Sequence, residues 1–376
     1  MNSISKIGIH NVFKDNETAF IDIDSPITIF TGYNGIGKST ALGIIHSTIS
    51  LANGGEYLFP RSNWASQIFL SDGRILNHGK VARPVIEDFA PPQIKNAQKA
   101  ESLKQYFNDL NAKTLPVIKK NKTVVSKDGE KRDSRSTNVL TITENSRSRK
   151  ITSSNKVGLQ SLLYCDELFN FNQDVDQSER LEDLDIFSKK NTLDKTLYLL
   201  IIEFSASEIT STLNSDLYDL IKQLDDLYSD VQMPLSLKEK IDDLRSLKFP
   251  ESSFLKEANL FFNMTGREVF YADDRMLRLR VKSRPNDAIE WFNLSKGEKT
   301  LLCLLLAVYL NKDNETVFLL DEPDLSLHIK WQKQLLKSLR ILAPKSQFII
   351  STHSPAMIGN SEGEKIINIG SFARTK

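Results

Sequence analysis

The sequence predicts an α/β protein with a mostly parallel sheet and an inserted, mainly helical lobe, and three observations carry that expectation. Apolar strands alternate with helical patterns at both ends of the chain, the order that builds a parallel sheet. A glycine-rich loop joins one of those strands to a helix near the N-terminus. Between about residues 90 and 290 the composition changes, so the two ends form one domain and the middle forms an insertion.

Ile4 to Val12 and Ala19 to Ile23 alternate apolar and polar residues, as half-buried strands do, and Ile27 to Thr31 is a short apolar run. From Ser39 to about Leu51, the apolar residues Ala41, Leu42, Ile45 and Ile49 share one helical face. Trp64 to Leu70 and Arg74 to Val81 form a strand pair turning at Asp72-Gly73. Residues 119 to 156 carry eleven Lys or Arg against four acids and few large apolar groups. Such a stretch cannot bury enough surface to fold alone, which predicts a mobile basic loop or hairpin. A short strand at Leu162 to Cys165 precedes an acidic stretch, Asp166 to Asp185. Leu213, Leu217, Leu220, Ile221, Leu224 and Leu227 then make one stripe at helical spacing. Met276 to Val281 alternates like a strand, and the last ninety or so residues return to helix, strand, helix, strand. The expected division is therefore 1–90 and 271–376 for the main domain, with 91–270 inserted.

The 376 residues are 40% hydrophobic and 26% charged, enough for a full core. A net charge of +1 gives no global pull toward nucleic acid or membrane, so any such attraction must be local. Cys165 and Cys303 lack the spacing of a zinc site or a disulfide framework. The longest apolar run, Leu301 to Leu310, is about half what a membrane span needs. The opening MNSISKIGIH has no charged-then-apolar leader. A cytoplasmic protein with no membrane partner is the expectation.

Four motifs carry chemistry. Gly32-Tyr33-Asn34-Gly35-Ile36-Gly37-Lys38-Ser39 fits G-x-x-x-x-G-K-[ST] between an apolar strand and a helix, with Thr40 following. Glycines let successive N–H groups point at phosphate oxygens, and the helix N-terminus adds roughly half a positive charge. Lys38 then reaches the β- and γ-phosphates and the Ser39 hydroxyl ligates Mg²⁺. In Thr316 to Pro323, an apolar strand delivers Asp321 and Glu322 to the sheet edge where the glycine loop lies. Asp321 is expected to hold Mg²⁺ through water. Glu322 is expected to take a proton from the attacking water as general base.

Leu294-Ser295-Lys296-Gly297-Glu298 opens an apolar helix, and Ser295 with Glu298 has capping-box spacing. A cap alone leaves Gly297 in the first turn unexplained, whereas close approach of a phosphate requires a glycine there. Finally, Phe348 to Pro355 is a buried strand ending in His353, placed to bond a γ-phosphate oxygen or the attacking water. His10, His46 and His78 carry no such placement and are expected to be structural.

These four motifs, in this order, resemble the ABC-type ATPases. The stretches DEPDLSLHIKWQ and FIISTHSPAMI are most similar to the RecF, SMC and OLD-like branch, bacterial AAA-family ATPases that include those of anti-phage defence systems. Transporter subunits usually have Thr after DEP and Asp where this chain has His328. The resemblance covers about 150 residues at the two ends. It implies a P-loop ATPase head that takes ATP and Mg²⁺ and forms a head-to-tail homodimer, or a higher assembly, with ATP sandwiched between subunits. In such a dimer Ser295, Gly297 and Glu298 act on nucleotide held by the other chain, and Asp324 to His328 cross the interface. Asn11-Val12-Phe13-Lys14 resembles an Asn-Phe-Arg segment flanking the nucleotide, which implies a contact from Lys14. Lys296 replaces a small residue usual in the signature. The glutamine that contacts Mg²⁺ in this family falls on Gln173 first and Gln67 second.

OLD-like nucleases carry a catalytic domain after the ATPase, whereas about twenty residues follow His353 here. The middle is also too short for long coiled coils. The expectation is therefore an ATPase that controls a separate effector, such as a nuclease or toxin, in bacterial defence or DNA surveillance. The alternative is a RecF-like repair ATPase that binds DNA itself. In either case the basic segment 119–156 is a candidate contact for nucleic-acid phosphates.

Overall fold

The computed structural model describes residues 2–55, 59–61, 63–82, 124–125, 131–132, 136–144, 147–149, 157–165, 168–171, 192–212, 253–272, 276–359 and 363–373. Two compact units emerge, one of residues 1–180 with 311–376 and one of residues 181–310.

The first unit begins with β1 (Ile4–His10), β2 (Thr18–Asp22), β3 (Ile27–Thr31), α1 (Lys38–Ala52), β4 (Trp64–Leu70) and β5 (Ile75–Ala82). It continues with β6 (Val124–Val125), β7 (Lys131–Arg132), β8 (Ser136–Glu144), β9 (Arg147–Arg149), β10 (Gln160–Cys165) and β11 (Leu168–Phe171). The second unit holds α2 (Thr192–Thr212), α3 (Ser253–Phe262), β12 (Arg267–Tyr271), β13 (Leu277–Val281), β14 (Arg284–Ile289) and α4 (Lys296–Leu310). The chain then returns to the first unit with β15 (Thr316–Asp321), α5 (Ile329–Leu342), β16 (Gln347–Ser351), α6 (Pro355–Ile358), β17 (Lys365–Asn368) and α7 (Gly370–Ala373).

Two six-stranded sheets build the first unit. One runs β11-β10-β15-β16-β3-β17; all its pairs are parallel except β10–β11. The other runs β2-β1-β4-β5-β8-β9 and is antiparallel throughout. The mostly parallel sheet is thus joined by a second sheet of the opposite kind. In its described part the segment 119–156 takes the hairpin form of the two expected rather than a free loop. β8 pairs with β5 along eight register positions and turns back into β9. Its own apolar content is low, but Leu140 and Ile142 are buried against the existing sheet, which supplies the burial the segment lacks alone.

Helix α1 explains why both sheets form one body. Apolar side chains cover nearly its whole circumference, as in a helix buried on all sides. Ala41, Leu42, Ile44, Ile45 and Ile49 share a core with Ile7, Ile9 and Ile68 of the antiparallel sheet and with Leu163, Val317 and Ile349 of the parallel one. Polar side chains tie it in both directions. His46 Nδ1 meets Ser161 Oγ on β10 at 2.9 Å, while Thr48 Oγ1 meets Ser66 Oγ on β4 at 2.7 Å and His78 Nδ1 on β5 at 3.1 Å. At the opposite sheet edge the buried Gln347 amide mimics a strand. It donates to Ile4 O and accepts from Ile4 N, both at 2.9 Å.

The second unit packs α2, α3 and α4 around Phe204, Phe254 and Tyr309, with ring centroids 4.6 to 5.5 Å apart. A three-stranded antiparallel sheet, β12-β13-β14, completes it. In its described residues the lobe is mainly helical, as expected, with this small sheet added to it. Its boundaries differ from the expected 91–270. Helix α4, expected with the C-terminal part of the head, packs on α2 and α3, and the described residues up to Phe171 belong with the sheets. The stripe Leu213 to Leu227 lies outside the described residues. Cys165 and Cys303 are free thiols, and no described helix is long and apolar enough to cross a membrane.

Burial lowers the His46 pKa from its ordinary 6.5 to about 3. Between those values the unfolded chain binds a proton that the folded chain refuses, so stability falls as pH drops through that window. Across it this one group costs about 1.4 kcal/mol per pH unit. Urea unfolding of His46→Gln from pH 7 to 4 is expected to show a shallower loss of stability than the unsubstituted chain; parallel curves would remove His46 from the acid response.

Candidate functional site

Parallel pairing places the C-terminal ends of β3, β10, β15 and β16 on one edge, and each end delivers a site residue. After β3 the chain curls through Gly32, Gly35 and Gly37 at φ 138, 77 and 106°. At Gly37 the left-handed backbone is also crowded: an added Cβ would lie 3.2 Å from Val12 Cγ1. Gly37 caps α1 without a side-chain bond, and the first turn of α1 has no acid, so its leading N–H groups stay open to an anion. Tyr33, Asn34, Gly35 and Ser39 are exposed and Ile36 and Thr40 half-buried around it.

The Lys38 side chain is 5% exposed, yet among the described residues no carboxylate pairs with it within 4 Å. Its Nζ donates to Gly32 O at 3.2 Å and Tyr33 O at 3.3 Å, and lies 2.6 Å from His353 Nε2. As an ammonium has no acceptor, Nε2 accepts and the imidazole proton sits on Nδ1. Burial pushes the Lys38 pKa down, while the Glu322 and Asp321 charges push back up. A buried cation held only by carbonyls and an imidazole is one that a phosphate completes.

Asp321 ends β15 opposite Ser351 on β16. Its Oδ1 accepts from Ser351 Oγ, and its Oδ2 accepts from Cys165 Sγ, at the end of β10, at 3.5 Å. Glu322 follows with φ 47°, a left-handed conformation costly for a residue with a Cβ. Its N–H donates to Ser351 O at 2.9 Å, and its Oε1 lies 3.5 Å from His353 Nε2. Lys38, Glu322 and His353 thus meet at one point.

Beyond Glu322 the loop to α5 is pinned from below. The buried Asp324 accepts from Thr352 Oγ1 at 2.7 Å. Burial pushes the Asp324 carboxyl pKa up, and that bond holds it back. Gln332 Nε2 donates to Asp324 O and Leu327 O, both at 3.0 Å, while its Oε1 accepts from Ser354 Oγ at 2.7 Å. Leu325 at the loop's tip is 76% exposed. His328 caps α5, its Nδ1 accepting from Lys330 N at 3.2 Å.

In the second unit the capping box is complete. Ser295 N and Oγ both donate to Glu298 Oε2, at 2.9 and 2.7 Å, and Glu298 N donates to Ser295 Oγ at 3.4 Å. Glu298 also pairs with Arg267 of β12, and Lys299 pairs with Asp194 of α2 at 2.6 Å. Ser295 and Lys296 are exposed at this helix start, with Gly297 half-buried beside them.

Residues 173–359 match the family model described as "AAA domain, putative AbiEii toxin, Type IV TA system". Over 206 residues the chain is 31% identical to the Retron Vc95 probable ATPase of Vibrio cholerae serotype O1 biovar El Tor, covering 44% of this chain and 40% of that one. It is 25% identical over 236 residues to the Retron Ec83 probable ATPase of Escherichia coli, covering 52% and 44%. Over about half its length the chain is thus similar to an AAA domain and to probable ATPases. A shorter match, 37% identical over 59 residues, joins it to the Septu protein PtuA of Bacillus thuringiensis, 16% of this chain and 15% of that one. The chain therefore spans less than half the length of these relatives. Among solved structures, the SmcHead bound to the C-winged helix domain of ScpA aligns with 97% of this chain and 93% of its own, at TM-score 0.44 and 13% identity.

Not every expected contact of the ATPase head lies open to a nucleotide. Lys14 sits in the β1–β2 turn whose Val12 and Phe13 pack under Gly37, but its Nζ is paired with Glu17. The Glu298 carboxylate is in use by Ser295 and Arg267, so its part at the signature is to hold the cap. Gln173 lies outside the described residues. Gln67 is buried in β4, donating to Asn77 Oδ1 at 3.0 Å within the antiparallel sheet. Ser351, Thr352, Gln332 and Cys165 were missed: their hydroxyl, amide and thiol groups matter through partners on neighbouring strands, which no motif spacing shows.

Glu298→Ala is expected to destabilise the second unit by about 1–3 kcal/mol, because it strips a helix cap and leaves Arg267 without its partner. Lys296→Ala at the neighbouring exposed position is expected to stay within about 0.5 kcal/mol. Chemical denaturation compares the two, and equal effects would mean that the cap contributes nothing special.

Proposed function

We propose that the chain is a Mg²⁺-dependent ATPase that dimerises around ATP and controls a separate effector, such as a nuclease or toxin, in bacterial anti-phage defence. The observation that carries the enzymatic part is the meeting of a buried, carboxylate-free Lys38 with His353 and the strained Glu322 at the mouth of an uncapped helix. The defence role draws support from the retron ATPases and Septu protein among the relatives.

Among the described residues no three metal-ligating groups cluster into a cage. Mg²⁺ binds through one or two protein groups together with substrate phosphates. Ser39 at the start of α1 and Asp321 at the end of β15 are the residues that would hold it, with Gln173 as a third candidate. Bound MgATP supplies the phosphoanhydride bond and a metal charge beside the leaving oxygens. The N–H groups of the glycine loop and of Ser39 and Thr40 bind the phosphates. Lys38 leaves its carbonyls to neutralise the β- and γ-oxygens. Glu322 takes one proton from the attacking water, and His353 orients that water by accepting its hydrogen bond at the Nε2 it now offers to Lys38, or, with the ring proton moved to Nε2, donates to a γ-oxygen. In the proposed dimer, Ser295 and Gly297 present the start of α4 to nucleotide held by the other subunit, and Leu325 lies on the interface-crossing loop.

Glu322→Gln is expected to keep ATP binding and to lower turnover by at least 100-fold, giving an ATP-locked dimer by sedimentation velocity. Unchanged turnover would remove Glu322 from its role. Lys38→Ala is expected to abolish nucleotide binding. A mixture of Lys38→Ala and Ser295→Arg chains can rebuild one composite site of two, so its activity is expected to exceed that of either parent; a mixture as inactive as its parents would count against action in trans.

A further inference from the structure

The run Ser351-Thr352-His353-Ser354 carries one recognised residue, His353, but every side chain in it grips a different part of the catalytic segment. His353 meets Lys38 and Glu322, Thr352 donates to Asp324, and Ser354 reaches Gln332, which in turn clamps the carbonyls of Asp324 and Leu327. Ser351 makes the first contact in the sequence. It is fully buried, and it touches both acids at once. Its Oγ donates to Asp321 Oδ1, while its carbonyl oxygen accepts from Glu322 N at 2.9 Å.

We infer that Ser351 is a positioning residue that aims Asp321 at the metal and, with Cys165 on the other flank, leaves each carboxylate oxygen with one free direction. The inference rests on the MgATP reading of this site. A carboxylate free to rotate about its own bond presents its lone pairs to water in many orientations. Here Oδ1 has one lone pair committed to a strand on one side, and Oδ2 has one committed to Cys165 on the other. Both partners sit on strands paired directly with β15, so the grip belongs to the sheet and not to a loop. A hydrogen bond to a metal-binding carboxylate fixes its direction and is worth about 10–100-fold in metal affinity. The plain alternative is that Ser351 satisfies a half-buried carboxylate and nothing more. Ser338 on α5 offers the control: it too is a fully buried hydroxyl, but it accepts from Gln334 on its own helix and touches neither acid.

Binding of a fluorescent ATP analogue, measured in EDTA and across a Mg²⁺ titration, tests the assignment without relying on turnover. Ser351→Ala is expected to raise the Mg²⁺ midpoint about tenfold or more while leaving affinity in EDTA within about twofold. Ser351→Cys, similar in size and a weaker donor, is expected to fall between. Ser338→Ala is expected to keep the original midpoint. An unshifted midpoint in Ser351→Ala overturns the proposal, and so does an equal loss in EDTA and in Mg²⁺, which would mark general damage to the cradle. If the unsubstituted chain gains no affinity from Mg²⁺ at all, the reading of the site as an ATPase centre falls first and takes this role with it.

Discussion

The buried charge of Lys38 is the constraint around which the first unit is arranged. An ammonium taken out of water costs several kcal/mol unless its surroundings answer for it. Here loop carbonyls and one imidazole do so, and two carboxylates supply field from a distance. That arrangement requires β3, β15 and β16 to end on the same edge, which only parallel pairing provides. It also requires α1 to stay fixed, since the lysine is its first residue. The two sheets that enclose α1 do that, through apolar contacts on all sides and through His46 and Thr48 pulling toward opposite sheets.

A second consequence of the parallel edge is that the loops after β15 and β16 lie side by side. Thr352, Ser354 and Gln332 bind them into one piece, so the loop bearing Leu325 and the loop bearing His353 share hydrogen bonds rather than a surface of chance contact. Displacement of His353 from Lys38 would therefore be felt at Asp324 within two residues.

Much of this was legible in the sequence because it depends on local pattern. The strands at Ile27–Thr31 and Trp64–Leu70 and the helix from Lys38 follow from apolar spacing and glycine placement alone. The capping box at Ser295 and Glu298 was likewise visible as two residues three apart. What stayed hidden depends on pairing across long stretches of chain. The antiparallel sheet needs β8, whose polar composition suggests a loop until β5 is beside it. The lobe's small sheet was hidden for the same reason, since only its middle strand alternates clearly. Glu298 was placed among nucleotide contacts because its motif sits there, but Arg267 on β12 claims its carboxylate.

Glu322 holds a backbone shape that glycine or asparagine would adopt with less strain. Replacing the acid by either would relax the fold at the very spot where the proposed general base is lost. With Glu322 in that proposed role, inactivity is the downhill direction for this chain: tolerance of heat and capacity for turnover pull against each other at a single φ angle, and a catalytically silent descendant would be sturdier than its parent.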